Sequence, residues 1–157
     1  MTRWILVTAA AIFVSQARAS STEACQLLPA RVVSEFLSIP VRAKPQEHDG
    51  VDSCRYVSQG TIASLSVIRL GSEAEARDRF SRELQRLLPD GRSADPLRGL
   101  GTEARFMSAA PSSSAVLIAR YDTTVLLLSG PDNQGMLVTL MRSAMATLSA
   151  LGHEAHP

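Results

Sequence analysis

The stretch TIASLSVIRLGSEAEARDRFSRELQRLL, residues 61–88, decides the fold class of this chain. Its first ten residues are rich in β-branched and apolar side chains. Ala63, Leu65 and Val67 alternate with other residues, which is typical of a strand with one buried face. Gly71 interrupts the alternation, and a helical pattern follows. The stretch therefore predicts a strand that leads directly into a helix.

The helical part of this stretch has a clear start and a clear buried side. Ser72 followed by Glu75 three residues later forms a capping box, the signature of a helix N-terminus. Apolar residues then recur at helical spacing, at Ala76, Phe80, Leu84 and Leu87. Acidic and basic residues four apart on the other side, such as Glu75 and Arg79, favour a solvated, ion-paired face.

Outward from this stretch the same two patterns recur. The other predicted elements are a helix from Pro29 to Leu37, strands at Cys54–Ser58, Glu103–Met107, Ala115–Tyr121 and Thr123–Ser129, and a helix from Asp132 or Asn133 to Gly152. The segment 44–52 is predicted to be a polar loop. The order α-β-β-α-β-β-β-α predicts an α+β fold, mainly an antiparallel sheet with helices packed on one face.

Residues 54–88 and 116–148 both show a hairpin followed by a helix, which fits a duplication or a coincidence of pattern.

The N-terminus has the features of a secretory signal peptide. Arg3 precedes an apolar run from Trp4 to Val14, and Ala17-Arg18-Ala19 has the small-x-small form of a cleavage site. A retained membrane anchor is the alternative, but this run is far shorter than the roughly 20 residues that span a bilayer. We therefore predict a signal peptide at 1–19, a single domain at 20–152 and a flexible tail at 153–157, with an exported, periplasmic or secreted product that has no stable membrane insertion.

Charge and aromatic content exclude some classes of partner. The chain carries 16 basic and 15 acidic residues and no basic run, so it is not built for nucleic acid. Aromatic residues are few, which disfavours sites that stack sugars or bases.

The two cysteines, Cys25 and Cys54, remain after the predicted cleavage. An even number of cysteines in an exported chain favours a disulfide, although two free buried thiols are the alternative. Such a bond would tie the first helix to the first strand. Because Cys25 follows a polar stretch rather than the apolar run, it does not have the position of a lipidated cysteine.

Two short motifs carry a resemblance. The first is Cys25-Gln26-Leu27-Leu28 with a helix and then Cys54-Arg55-Tyr56, and the second is the segment 99–104, Gly-Leu-Gly-Thr-Glu-Ala. Together they resemble small exported bacterial domains of unknown function, common among actinobacterial envelope lipoproteins, and the extracellular sensor domains of some bacterial receptor kinases. The resemblance implies an α+β envelope domain with a helix-to-strand disulfide, and it implies no catalytic residues.

Candidate catalytic and metal-binding groups are sparse. His48 lies in a polar loop, and His153 and His156 lie in the tail, so an ordered general base is lacking. No Gly-x-Ser-x-Gly motif is present. The two tail histidines lack a third fixed ligand and a supporting shell. We predict that the protein is not an enzyme and uses neither a metal nor a cofactor.

The last helix offers the one apolar ligand site that the sequence suggests. Its candidate residues are Met136, Leu140, Met141 and Met145. Methionine adapts to irregular partners and can line a ligand groove, but core filling explains the same pattern.

Two functions therefore stay open, beside an enzyme of unfamiliar type. The first is an exported, non-enzymatic binding or accessory module of the bacterial cell envelope, whose partner is an unknown envelope protein bound by the sheet face that the helices leave uncovered. The second is a carrier of a small apolar ligand, held between the last helix and the sheet.

Overall fold

The computed structural model describes residues 22–88, 93–110 and 113–154. The predicted signal peptide at 1–19 lies outside the described residues, as do the last three residues of the predicted tail. The elements in chain order are α1 (Glu23–Leu27), α2 (Ala30–Leu37), β1 (Arg42–His48), β2 (Val51–Val57), β3 (Thr61–Arg69), α3 (Glu73–Leu87), β4 (Asp95–Leu97), β5 (Glu103–Met107), β6 (Ala115–Tyr121), β7 (Thr124–Gly130) and α4 (Gln134–Glu154).

The strands form one antiparallel sheet in the order β1-β2-β3-β7-β6-β5-β4. Two meanders, β1-β2-β3 and β4-β5-β6-β7, meet where β3 pairs with β7. The helix α3 joins the two meanders, as the sequence predicts. The α+β class and the antiparallel sheet are confirmed, and the five predicted strands are all present.

The helices cover both faces of the sheet, whereas the sequence predicted one. Alternate residues of β7 show this directly, since Leu126 and Leu128 belong to the core beneath α1, α2 and α4, and Val125 packs with Phe80 of α3 on the other side. We call these the α4 face and the α3 face. The continuous apolar run in β7 already indicated a strand buried on both sides.

The two segments with a similar pattern, 54–88 and 116–148, are not related by a two-fold axis between β3 and β7. Antiparallel neighbours such as β3 and β7 are related by a local two-fold axis perpendicular to the sheet, and rotation about that axis keeps each face on its own side. The helices that follow them, α3 and α4, lie on opposite faces. The two halves are therefore not related by this axis.

The predicted disulfide joins Cys25 of α1 to Cys54 of β2, with Cα atoms 5.0 Å apart. Beside it the Tyr56 hydroxyl donates a 2.5 Å hydrogen bond to the Leu28 carbonyl. Both Tyr56 and Leu28 are fully buried. Burial raises the pKa of the Tyr56 hydroxyl above its ordinary value. The disulfide and this hydrogen bond hold α1 against the α4 face.

Neither edge strand was predicted: most of β1 lies in the segment 44–52, which was predicted to be a polar loop, and β4 was not among the predicted strands. β1 is exposed along almost its whole length, so it lacks the apolar alternation that identifies a strand. β4 has only three residues. Each carries a proline, Pro45 in β1 and Pro96 in β4, which cannot donate a ladder hydrogen bond and so discourages further strands from pairing at the edge.

The helix ends also differ from prediction in two places. Pro29 is the N-cap of α2, and a separate short helix, α1, precedes it. α4 continues through Gly152 to Glu154, because glycine permits a helix end without enforcing one. At the start of α3 the predicted capping box is confirmed: the Glu75 amide donates to Ser72 Oγ at 3.2 Å, and the Glu75 carboxylate accepts from the Gly71 amide.

Candidate functional site

The four residues of the predicted apolar ligand site lie along α4, against the sheet. Leu140 and Met141 are fully buried, Met145 is 8% exposed, and Met136 packs partly buried at the edge of the same core. These side chains are part of the core that joins α4 to the sheet. None of them lines the cavity at Arg42 and Lys44, the groove beside α3, or the small cavity at Tyr121.

The α3 face is only partly covered. α3 packs on β6 and β7 and helps to bury Ile68 near the end of β3. On this side no described helix packs closely on β1, β2 or the start of β3. We call this uncovered surface the open face. Cross-strand partners share a face in an antiparallel pair. Cys54 and Tyr56 belong to the core on the α4 face. Ser53 and Arg55 alternate with them along β2 and therefore belong to the open face.

One row of residues begins on the open face and runs across four strands, ending on β7. Lys44 of β1 lies opposite Arg55 of β2, Arg55 opposite Ser64 of β3, and Ser64 opposite Ser129 of β7. The hydroxyls of Ser64 and Ser129 lie 2.7 Å apart. With strands about 4.8 Å apart, this polar row extends roughly 14 Å across the sheet.

Three cations gather at the outer end of this row. Arg42, Lys44 and Arg55 are all exposed, and none forms an ion pair in the part of the chain that the structure describes. Lys44 and Arg55 are directly opposite each other, and like charges in this position destabilise a strand pair. Arg42 and Lys44 also line a shallow cavity of about 450 Å³ with Val57.

A groove lies where the open face meets α3. Its volume is about 630 Å³, and its lining comprises His48, Asp49, Val51, Ser53, Ser66, Ile68, Arg79, Glu83, Arg86 and Leu127. The hydroxyls of Ser53 and Ser66 lie 2.9 Å apart on its floor. The α3 wall carries Glu83, a buried carboxylate.

Glu83 is held by two arginines of its own helix. Arg79 Nη2 lies 2.8 Å from Glu83 Oε1, and Arg86 Nη2 lies 2.7 Å from Glu83 Oε2. The sequence paired Arg79 with Glu75 instead, but Glu75 is engaged in the helix cap. No sequence signal marked Glu83, because a carboxylate on a helix rich in charge is expected to be exposed to solvent. Its burial depends on the sheet beneath the helix.

The other chemical candidates are dispersed. His48 is paired with Asp49 at 3.2 Å on an exposed turn, and the side chains of His153 and His156 lie outside the described residues. Within residues 22–88, 93–110 and 113–154, no cluster of three or more His, Cys, Asp or Glu is placed to hold a metal ion.

None of the described helices has the length and apolar character required to cross a bilayer. A scan against protein-family models finds no match to this chain. A search of curated proteins finds none significantly similar to it.

Proposed function

We propose that this chain is an exported, non-enzymatic binding or accessory module of the bacterial cell envelope that engages its partner through the open face. The observation that carries the proposal is the directly opposed pair Lys44 and Arg55, which is exposed and forms no ion pair in the described structure. A partner with negative charge would relieve this repulsion, and charge complementarity of this kind speeds association and selects the partner.

Several other features support binding by a flat polar surface. Ser64 and Ser129 offer hydroxyl donors and acceptors along the row. The prolines of the edge strands disfavour recruitment of a partner by strand addition, which leaves the face rather than the edge as the contact surface. The disulfide is consistent with an oxidising compartment.

The test compares two variants with the same change of charge. Lys44→Glu with Arg55→Glu reverses the open face, whereas Arg31→Glu with Arg142→Glu reverses two exposed arginines on α2 and α4. The protein lacking residues 1–19 is immobilised through a C-terminal tag and exposed to an envelope extract of its host at low and high salt, and each captured species is quantified.

We expect the wild type and the α2/α4 variant to capture one species equally, and the open-face variant to lose it. High salt should weaken this capture, because salt screens exposed charges. Both variants should keep the melting temperature of the wild type within a few degrees. Capture that is the same for all three proteins would overturn the assignment of the open face.

A further inference from the structure

The groove between α3 and the sheet has an unbalanced charge on one wall. Arg79 and Arg86 share the single carboxylate of Glu83, so the three side chains carry a net charge of one positive unit. Asp49 stands at the opposite rim with its side chain 86% exposed and paired with His48, where water screens its charge. The helix wall is therefore the cationic side of the groove.

Donors on this side remain without acceptors. Arg86 directs both Nε and Nη2 to Glu83 Oε2, which leaves its second terminal nitrogen free. Arg79 uses Nη2 for Glu83, and its Nε is hidden from solvent with no hydrogen-bond partner in the described structure. A buried donor without an acceptor is costly, so Glu83 satisfies the Arg79 guanidinium only in part.

The floor of the groove adds a hydroxyl and an apolar surface. In the pair formed by Ser53 and Ser66, one hydroxyl donates to the other, so the second keeps its own hydrogen for a ligand. Val51, Ile68 and Leu127 supply the apolar part of the lining. A volume of about 630 Å³ lies within the range of small-molecule sites.

We propose that this groove binds a small organic monoanion with an apolar body. Its acidic head lies at Arg79 and Arg86, and its body covers the apolar floor. The groove adjoins the open face but is not lined by Lys44 or Arg55, so this inference does not rest on the proposed role of that pair. It also places a small-ligand site on the α3 face, away from Met136, Leu140, Met141 and Met145 on the α4 face.

The experiment uses the disulfide-bonded protein lacking residues 1–19 and the fluorescent monoanion 8-anilinonaphthalene-1-sulfonate as the probe. Decanoate and decanol, kept below micelle-forming concentrations, compete for the probe. The two competitors share their apolar chain and differ in charge. We expect one saturable site from which decanoate displaces the probe at least tenfold better than decanol.

Two arginine variants locate the site. Arg86→Met leaves the Arg79–Glu83 pair in place and removes one cation from the groove, while Arg82→Met removes an exposed cation of the same helix outside it. Loss of one charge-assisted contact should weaken decanoate about tenfold in Arg86→Met. Arg82→Met should bind as the wild type does. Circular dichroism confirms that both variants are folded.

Amide NMR of the wild type gives an independent reading that needs no variant. Decanoate should shift the amides of Ser53, Ser66 and Ile68 together with those of residues 79–86. The proposal would be overturned if decanoate failed to displace the probe, or if decanol displaced it equally well. It would also be overturned by equal weakening in both arginine variants, or by amide shifts centred on Met141 and α4.

Discussion

Replacing both cysteines, Cys25→Ala with Cys54→Ala, is expected to lower the free energy of unfolding by about 3.6 kcal/mol. The bond joins residues 29 positions apart. In the chain-entropy model, closing a loop of about 30 residues removes roughly 12 cal/mol/K from the unfolded chain, and multiplication by 298 K gives this value. The hydrogen bond from Tyr56 to Leu28 keeps α1 docked in the folded state, so we assign the effect to the unfolded chain.

Urea unfolding followed by far-ultraviolet circular dichroism measures the change. With a denaturant slope of about 2 kcal/mol/M, typical of a domain of this size, the midpoint should fall by about 1.8 M. The slope itself should rise, because an unfolded chain without the cross-link exposes more surface. Wild-type protein reduced in denaturant and refolded with reductant present is the control, and it should unfold close to the double variant.

A loss below about 1 kcal/mol, with the reduced wild type equally stable, would refute this reasoning. It would mean that the chain between the cysteines keeps its compact structure after unfolding, so that the cross-link removes little entropy.

Three further changes test other parts of the structure. Tyr56→Phe should cost about 1–3 kcal/mol in urea unfolding at pH 8, since the Leu28 carbonyl loses its donor. Because the pKa of Tyr56 is raised in the folded state, the unfolding free energy of the wild type falls as pH rises above about 10, by up to roughly 1.4 kcal/mol per pH unit. The difference in unfolding free energy between the wild type and Tyr56→Phe should therefore narrow by pH 11. Gly101→Ala should destabilise by more than about 2 kcal/mol in thermal melts, because φ is +64° and an added Cβ would lie 2.4 Å from the Arg120 carbonyl oxygen. Ser72→Ala should cost about 1 kcal/mol in urea unfolding, since the Glu75 amide loses its cap.

Each of these changes has a comparison that isolates its cause. A gap between Tyr56→Phe and wild type that stays constant from pH 8 to 11 would contradict the raised pKa. Gly99→Ala also has a positive φ, +71°, but its Cβ meets nothing within 4 Å. Equal losses at the two glycines would therefore show that the clash with the Arg120 carbonyl is unimportant. Ser72→Asp should retain the cap, and a loss equal to that of Ser72→Ala would contradict the capping role.

Much of the fold could be predicted from local patterns in the sequence. β3 and α3 were predicted because their apolar residues follow the periods of a strand and a helix, and the capping box at Ser72 marked the boundary between them. The Cys25–Cys54 bond followed from cysteine number and the predicted export. β1 escaped prediction because an exposed edge strand is specified by pairing to β2 rather than by an apolar face of its own.

Much less of the candidate site could be predicted from the sequence. The sequence suggested that an uncovered sheet face could bind a partner, but not which strands form it. Lys44 was placed in a loop, so its position opposite Arg55 was not foreseen. Glu83 looked like one more charge on a solvated helix, although the sheet and two arginines bury it.

The sequence by itself determined five of the seven described strands, the helices α2, α3 and α4, the α+β class and the disulfide pair, because each depends on spacing within a short stretch or on the number of cysteines. Only the tertiary structure decided that α3 and α4 take opposite faces, that Lys44 meets Arg55, and that a groove opens beside α3. These features depend on register and on the path of the α3 connection. Both are set by the free energy of burying two separate apolar cores, a property of the whole chain.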